Sequence, residues 1–136
     1  LGDVYKRQPF ARLLEAFHDQ EALGHRVAKV LAALPPEVQE DFLEDPRFRI
    51  SKVGREVPSS HGTVLALPTP DGQCSRCVVL KQRLASCSES FGLYVIAHEL
   101  AHAYLRNGSW GEYQDPEEAA DELARQWGFP RPRRFF

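Results

Sequence analysis

The residues with the clearest chemical capacity are His98, Glu99 and His102, in the run Ala97-His98-Glu99-Leu100-Ala101-His102. Helical residues four apart share a face and lie about 6 Å apart along the axis. His98 and His102 can therefore hold one metal ion together, and Glu99 can reach a water on that metal. Two neutral imidazoles and a third ligand suit zinc and leave a position open for water, whose pKa falls to about 7. A neighbouring carboxylate can take that proton and pass it to a leaving amine. With 5 His and 12 Glu in 136 residues, chance produces this spacing in roughly two chains per hundred, so the surroundings matter. Between positions 91 and 105 the strongly polar side chains are His98, Glu99 and His102 alone. A helix apolar nearly all round is a buried one, and burying these three groups is costly without partners. The competing reading, a core helix with satisfied histidines, leaves that cost unexplained.

The third ligand is expected from the next helix. Asp115-Pro116-Glu117-Glu118 reads as a helix start, with Asp115 as N-cap, Pro116 in the first position and Glu118 closing a capping box. Glu117 is then the expected ligand. Asp121, four residues on, can accept a hydrogen bond from a ligand histidine and fix its tautomer. The plainer alternatives are dipole complementation for Glu117 and Glu118 and an ion pair with Arg125 for Asp121.

His98-Glu99-Leu100-Ala101-His102 followed by Glu117-x-x-x-Asp121 resembles the gluzincin clan of zinc metallopeptidases. The compact layout of hairpin, histidine helix, short loop and glutamate helix resembles the minigluzincins, including ImmA/IrrE-like proteins, over residues 60–129. The resemblance implies zinc on His98, His102 and Glu117, with Glu99 as general base. It also implies an extended peptide substrate along a sheet edge, which residues 77–80 could supply. The ImmA/IrrE-like pattern usually has Asn where this chain has Asp121, which favours the broader clan. The expectation is a zinc-dependent peptidase cleaving a peptide or protein substrate. The alternative is a non-catalytic, zinc-stabilised regulatory or binding module, which has no need of Glu99.

The elements that must position these residues form an α+β arrangement. Apolar residues at helical spacing from Phe10 to Leu34 predict helices, with Gly24 as a dividing point and Pro35-Pro36 as a stop. Pro36 can open a short helix carrying Val38, Phe42 and Leu43 that ends before Pro46. Residues 63–67 and 77–80 are β-prone and flank the turn-rich Pro68-Thr69-Pro70-Asp71-Gly72, which reads as a hairpin. A helix is expected over 90–106, stopped by Asn107-Gly108. A loop through Trp110 and Tyr113 follows, then the glutamate helix, ended by Gly128 with Trp127 and Phe129 packed on the core.

Other polar residues carry weaker readings. Tyr113 and His61 are candidates for an oxyanion stabiliser by chemistry only. Tyr94 lies one turn before His98 and reads chiefly as core. Cys74, Cys77 and Cys87 could make a second zinc site with His61, although one C-x-x-C with no partner pair favours free thiols. An odd, low cysteine count mildly favours a reducing compartment, hence the cytoplasm. A net charge of −2 gives no push toward nucleic acid, and no apolar run approaches the roughly 20 residues of a membrane span. Arg131, Arg133 and Arg134 read as a solvated end.

The opening residues Asp3-Val4-Tyr5-Lys6-Arg7-Gln8 resemble the in-frame translation of a transposase end used in sequencing libraries. Residues 1–8 are therefore expected to be an adapter artefact. Residues 9–136 are expected to be one domain, of a length that suits a single core, with its true N-terminus upstream.

Overall fold

The computed structural model describes residues 10–52 and 76–133. The opening segment 1–8, residues 63–67, the turn after them, His61 and Cys74 lie outside the described residues. The elements in chain order are α1 (Ala11–Leu14), running into a 3-10 turn (Glu15–Phe17), α2 (Glu21–Ala33), α3 (Pro36–Glu44), β1 (Phe48–Lys52), β2 (Arg76–Leu80), a second 3-10 turn (Gln82–Ala85), α4 (Glu89–Leu105) and α5 (Pro116–Gln126). The class is α+β, as expected.

Proline and turn chemistry place the helix ends. Leu34, before Pro35-Pro36, is extended at φ −71° and ψ 151° and closes α2, and Pro36 opens α3 in its first turn. Asp45, before Pro46, is extended and closes α3. The expected division at Gly24 is a correction. The break falls at residues 18–20, and Gly24 is a buried residue inside α2. A Cβ on Gly24 would lie 3.0 Å from Phe17 Cβ, so the glycine permits close packing of the preceding turn on α2.

The sheet includes a strand that the sequence reading left out. Residues 77–80 are strand, but the described neighbour of β2 is β1, paired in parallel with Phe48 opposite Arg76 and Lys52 opposite Leu80. A tight turn cannot join parallel strands; a crossover must. Residues 53–75, between the two strands, are outside the described residues. The other strand of the expected hairpin, residues 63–67, lies outside the described residues.

One apolar cluster joins the elements. Leu23, Val27 and Leu31 of α2, Phe42 of α3, Phe48 of β1, Leu80 of β2 and Ile96 and Leu100 of α4 are essentially fully buried in it. α4 packs against α5, and both present alanines four residues apart: Ala97 and Ala101 on one helix, Ala120 and Ala124 on the other, all fully buried. Small side chains let the two backbones approach closely. That approach brings carboxylates on α5 within reach of imidazoles on α4. No helix of the described residues is long and apolar enough to cross a membrane.

Candidate metal centre

The helix carrying the histidines ends as a left-handed cap. Arg106 takes φ 53° and ψ 42°, Asn107 takes φ 59°, and the Asn107 N–H donates to His102 O at 2.9 Å. The stop thus uses Arg106 and Asn107, one position earlier than the Asn107-Gly108 expectation. At the start of α5, Asp115 is the N-cap and accepts from the Glu118 N–H at 3.2 Å, which is the Asp115 half of the expected capping box, and Pro116 follows it. This places Glu117 in the first turn and Asp121 one turn later on the same face. α5 ends at Gly128, φ 102°, with the Phe129 N–H donating to Ala124 O at 2.9 Å and Trp127 buried.

Three side chains converge between the helices. His98 Nε2 and His102 Nε2 are 3.1 Å apart. Glu117 Oε1 is 3.2 Å from His98 Nε2, and Glu117 Oε2 is 2.8 Å from His102 Nε2. The His98 and His102 side chains are 11% and 13% exposed, that of Glu117 70%. Among the described residues, this is the group of histidine, cysteine and acidic side chains whose ligand atoms come together.

Asp121 selects the tautomer of a neutral His98. His98 Nδ1 lies 2.7 Å from Asp121 Oδ1. A carboxylate only accepts, so Nδ1 carries the proton, and in the neutral ring Nε2 presents a lone pair. The same Asp121 oxygen accepts the Tyr94 hydroxyl at 2.6 Å. Burial first, and the Asp121 carboxylate second, push the Tyr94 hydroxyl well above the ordinary phenol range. The alternative partner for Asp121 is engaged elsewhere, since Arg125 pairs with Glu122.

This donor set fits a divalent cation. The His98 lone pair faces a carboxylate oxygen and a second imidazole nitrogen, an arrangement of electron-rich atoms that a proton or a cation must hold together. Zinc bonds of 2.0–2.1 Å to nitrogen and oxygen give a tetrahedron with edges of about 3.3 Å. The two imidazole nitrogens, 3.1 Å apart, are close to such an edge, and the Glu117 carboxylate lies against both, Oε1 3.2 Å from His98 Nε2 and Oε2 2.8 Å from His102 Nε2. Two imidazole nitrogens and a carboxylate are a donor set that zinc takes.

Beside the centre lies a cleft of ≈360 Å³. Glu99, His102 and Glu117 line it from the helices, and residues 76–79 of β2 line it from the sheet. Glu99, half-buried, thus faces the same space as two of the three convergent residues. Arg76 ties the two walls together. Its Nε and Nη2 donate to Ala103 O at 3.2 and 3.0 Å, directly after His102, while Nη1 and Nη2 bind Asp45 and Asp41 at 2.8 and 2.5 Å.

The remaining candidates fall outside this group. The Tyr113 hydroxyl is held by Glu122, whose charge is the main cause of its raised pKa, and Tyr113 does not line the cleft. Cys77 and Cys87 are free thiols. Cys77 lines the cleft and burial raises its pKa. Cys87 lies by Leu84 O and Arg26. Sequence reasoning missed the part played by Arg76, whose partners are 27 to 35 residues away. It also missed the Tyr94 hydroxyl bond, although the spacing Tyr94, His98, His102 puts all three on one helical face. No known protein family, curated protein or solved structure matches this chain.

Proposed function

We propose that this chain is a zinc-dependent hydrolase cleaving peptide bonds. The observation that carries the reading is the convergence of His98 Nε2, His102 Nε2 and the Glu117 carboxylate within 4.8 Å, with Glu99 on the adjoining cleft. His98, His102 and Glu117 would hold the zinc. The metal, when bound, would polarise the scissile carbonyl and lower the pKa of water. Glu99 takes the proton from the attacking water and delivers it to the departing amine. Asp121 holds His98 Nδ1, which fixes the ring orientation and turns Nε2 toward the centre.

The cleft suits an extended chain. Cys77 and Val79, half-buried and alternating with the buried Arg76, Val78 and Leu80, offer a β-strand wall across from Glu99. A peptide strand laid there could use backbone hydrogen bonds for affinity. Amide hydrolysis of peptides and the gluzincin affiliation rest on the resemblance of His98 to His102 and Glu117 to Asp121. The free thiols Cys77 and Cys87 are compatible with the reducing cytoplasm in which we place the protein.

Glu99→Gln separates this reading from a metal-stabilised binding module. The substitution keeps shape and removes the proton acceptor. We expect zinc content equal to that of the unaltered chain, together with loss of turnover of a peptide library by about a hundredfold or more. Full turnover in that variant would exclude Glu99 as the base. Zinc without turnover in the unaltered chain would favour the binding module.

A further inference from the structure

We infer that Tyr94 is a positioning residue for the metal centre, acting through Asp121 on His98. The inference rests on the proposed zinc site. One carboxylate oxygen, Asp121 Oδ1, accepts both the Tyr94 hydroxyl at 2.6 Å and His98 Nδ1 at 2.7 Å. The oxygen that orients the imidazole is therefore pinned by a second donor on the helix that carries the imidazole.

Tyr94 is suited to that task. It is 8% exposed, and its ring lies 6.2 Å from Phe91 and 5.8 Å from His98 between centroids. Packing thus determines where its hydroxyl points. The Asp121 side chain is 35% exposed and can otherwise turn its carboxylate toward water. A bond between a hydroxyl and a charged acceptor is stronger than a neutral one. It removes that rotational freedom before a metal arrives, and with it the freedom of the His98 ring. Affinity then rises because less motion is lost on binding.

Removing a group that hydrogen-bonds a metal-ligating histidine typically lowers affinity by about 10- to 100-fold. Tyr94 stands one bond further out, so Tyr94→Phe is expected to weaken zinc binding by about 3- to 10-fold. The measurement is zinc affinity by competition with a chromophoric chelator, for the unaltered chain, Tyr94→Phe, Asp121→Ala and the double variant. Circular dichroism of the metal-free chains accompanies it. The expected result is a weakened Tyr94→Phe, a larger loss in Asp121→Ala, and no further loss in the double variant. An unchanged affinity in Tyr94→Phe would overturn the inference while leaving the zinc site standing. So would an equal extra loss in the Asp121→Ala background, since Tyr94 would then act by another route. A Tyr94→Phe chain that no longer folds overturns it as well, because the hydroxyl would then be a structural member. An unaltered chain that binds no zinc overturns both this inference and the proposed function.

Discussion

Arg76→Met removes the donor that joins the sheet wall of the cleft to the histidine helix. Arg76 is nearly buried, with its side chain 4% exposed. Its guanidinium sits 5.6 and 5.5 Å from the ring centroids of Phe42 and Phe48. Methionine preserves most of the apolar stem and can still touch those rings, so the loss isolates the polar contacts. Three acceptors lose their donor: Asp41 Oδ2, Asp45 Oδ2 and Ala103 O. Removing one member of a buried ion pair costs about 3–5 kcal/mol. Asp41 keeps Arg106 at 3.2 Å, and Asp45 keeps the Arg47 N–H at 2.9 Å. The expected cost is therefore about 2–4 kcal/mol at pH 7.

The pH dependence gives a second check. The Arg76 guanidinium is the main cause that holds the Asp45 carboxyl at about 2, below its ordinary 3.8. A carboxyl with a depressed folded pKa stabilises fully above its unfolded pKa and loses that contribution as pH falls through the folded one. Linkage puts this at no more than about 2 kcal/mol, and solvent at the exposed edge of the cluster brings it nearer 1 kcal/mol. The gap between the unaltered chain and Arg76→Met should narrow by about that amount between pH 5 and pH 2. Urea denaturation across this range measures it. Adding Asp45→Asn to Arg76→Met should recover part of the lost stability by removing the unpaired charge. A cost below 1 kcal/mol at pH 7, or a gap that does not change down to pH 2, would refute the reasoning.

Two other perturbations test the frame of the site. Asp115→Ala removes the N-cap of α5 and should cost about 1 kcal/mol, a fall of about 3–4 °C in Tm; calorimetry with no change would deny the cap its role. Gly128→Ala forces a Cβ onto φ 102° and should cost about 1 kcal/mol or more in thermal unfolding, whereas a neutral result would mean that the α5 terminus adjusts freely.

The local chemistry of the helices and the strand at residues 77–80 could be read from the residues, and β1 could not. Proline pairs, an aspartate before Pro116 and Gly128 mark helix ends through backbone rules that need no distant partner. The spacing of His98 and His102, with Glu117 and Asp121 four apart, was enough to anticipate that these groups would face one another. β1 escaped notice because Phe48-Arg49-Ile50-Ser51-Lys52 does not look like a buried strand. Ser51 and Lys52 are buried nonetheless, and Lys52 Nζ reaches Asp19 at 2.9 Å. Such burial depends on a partner 33 positions away. The parallel register of β1 with β2 likewise depends on a crossover rather than on a turn signal. Gly24 misled for the opposite reason: a residue that often breaks a helix is here the one that fits against Phe17.

Zinc bound per chain, measured by elemental mass spectrometry on the purified protein beside its His102→Ala variant, decides whether the convergent residues are a metal centre. The account predicts about one zinc per chain, lost in His102→Ala while circular dichroism shows the variant still folded. A folded protein without zinc, or zinc retained in full by His102→Ala, would contradict it.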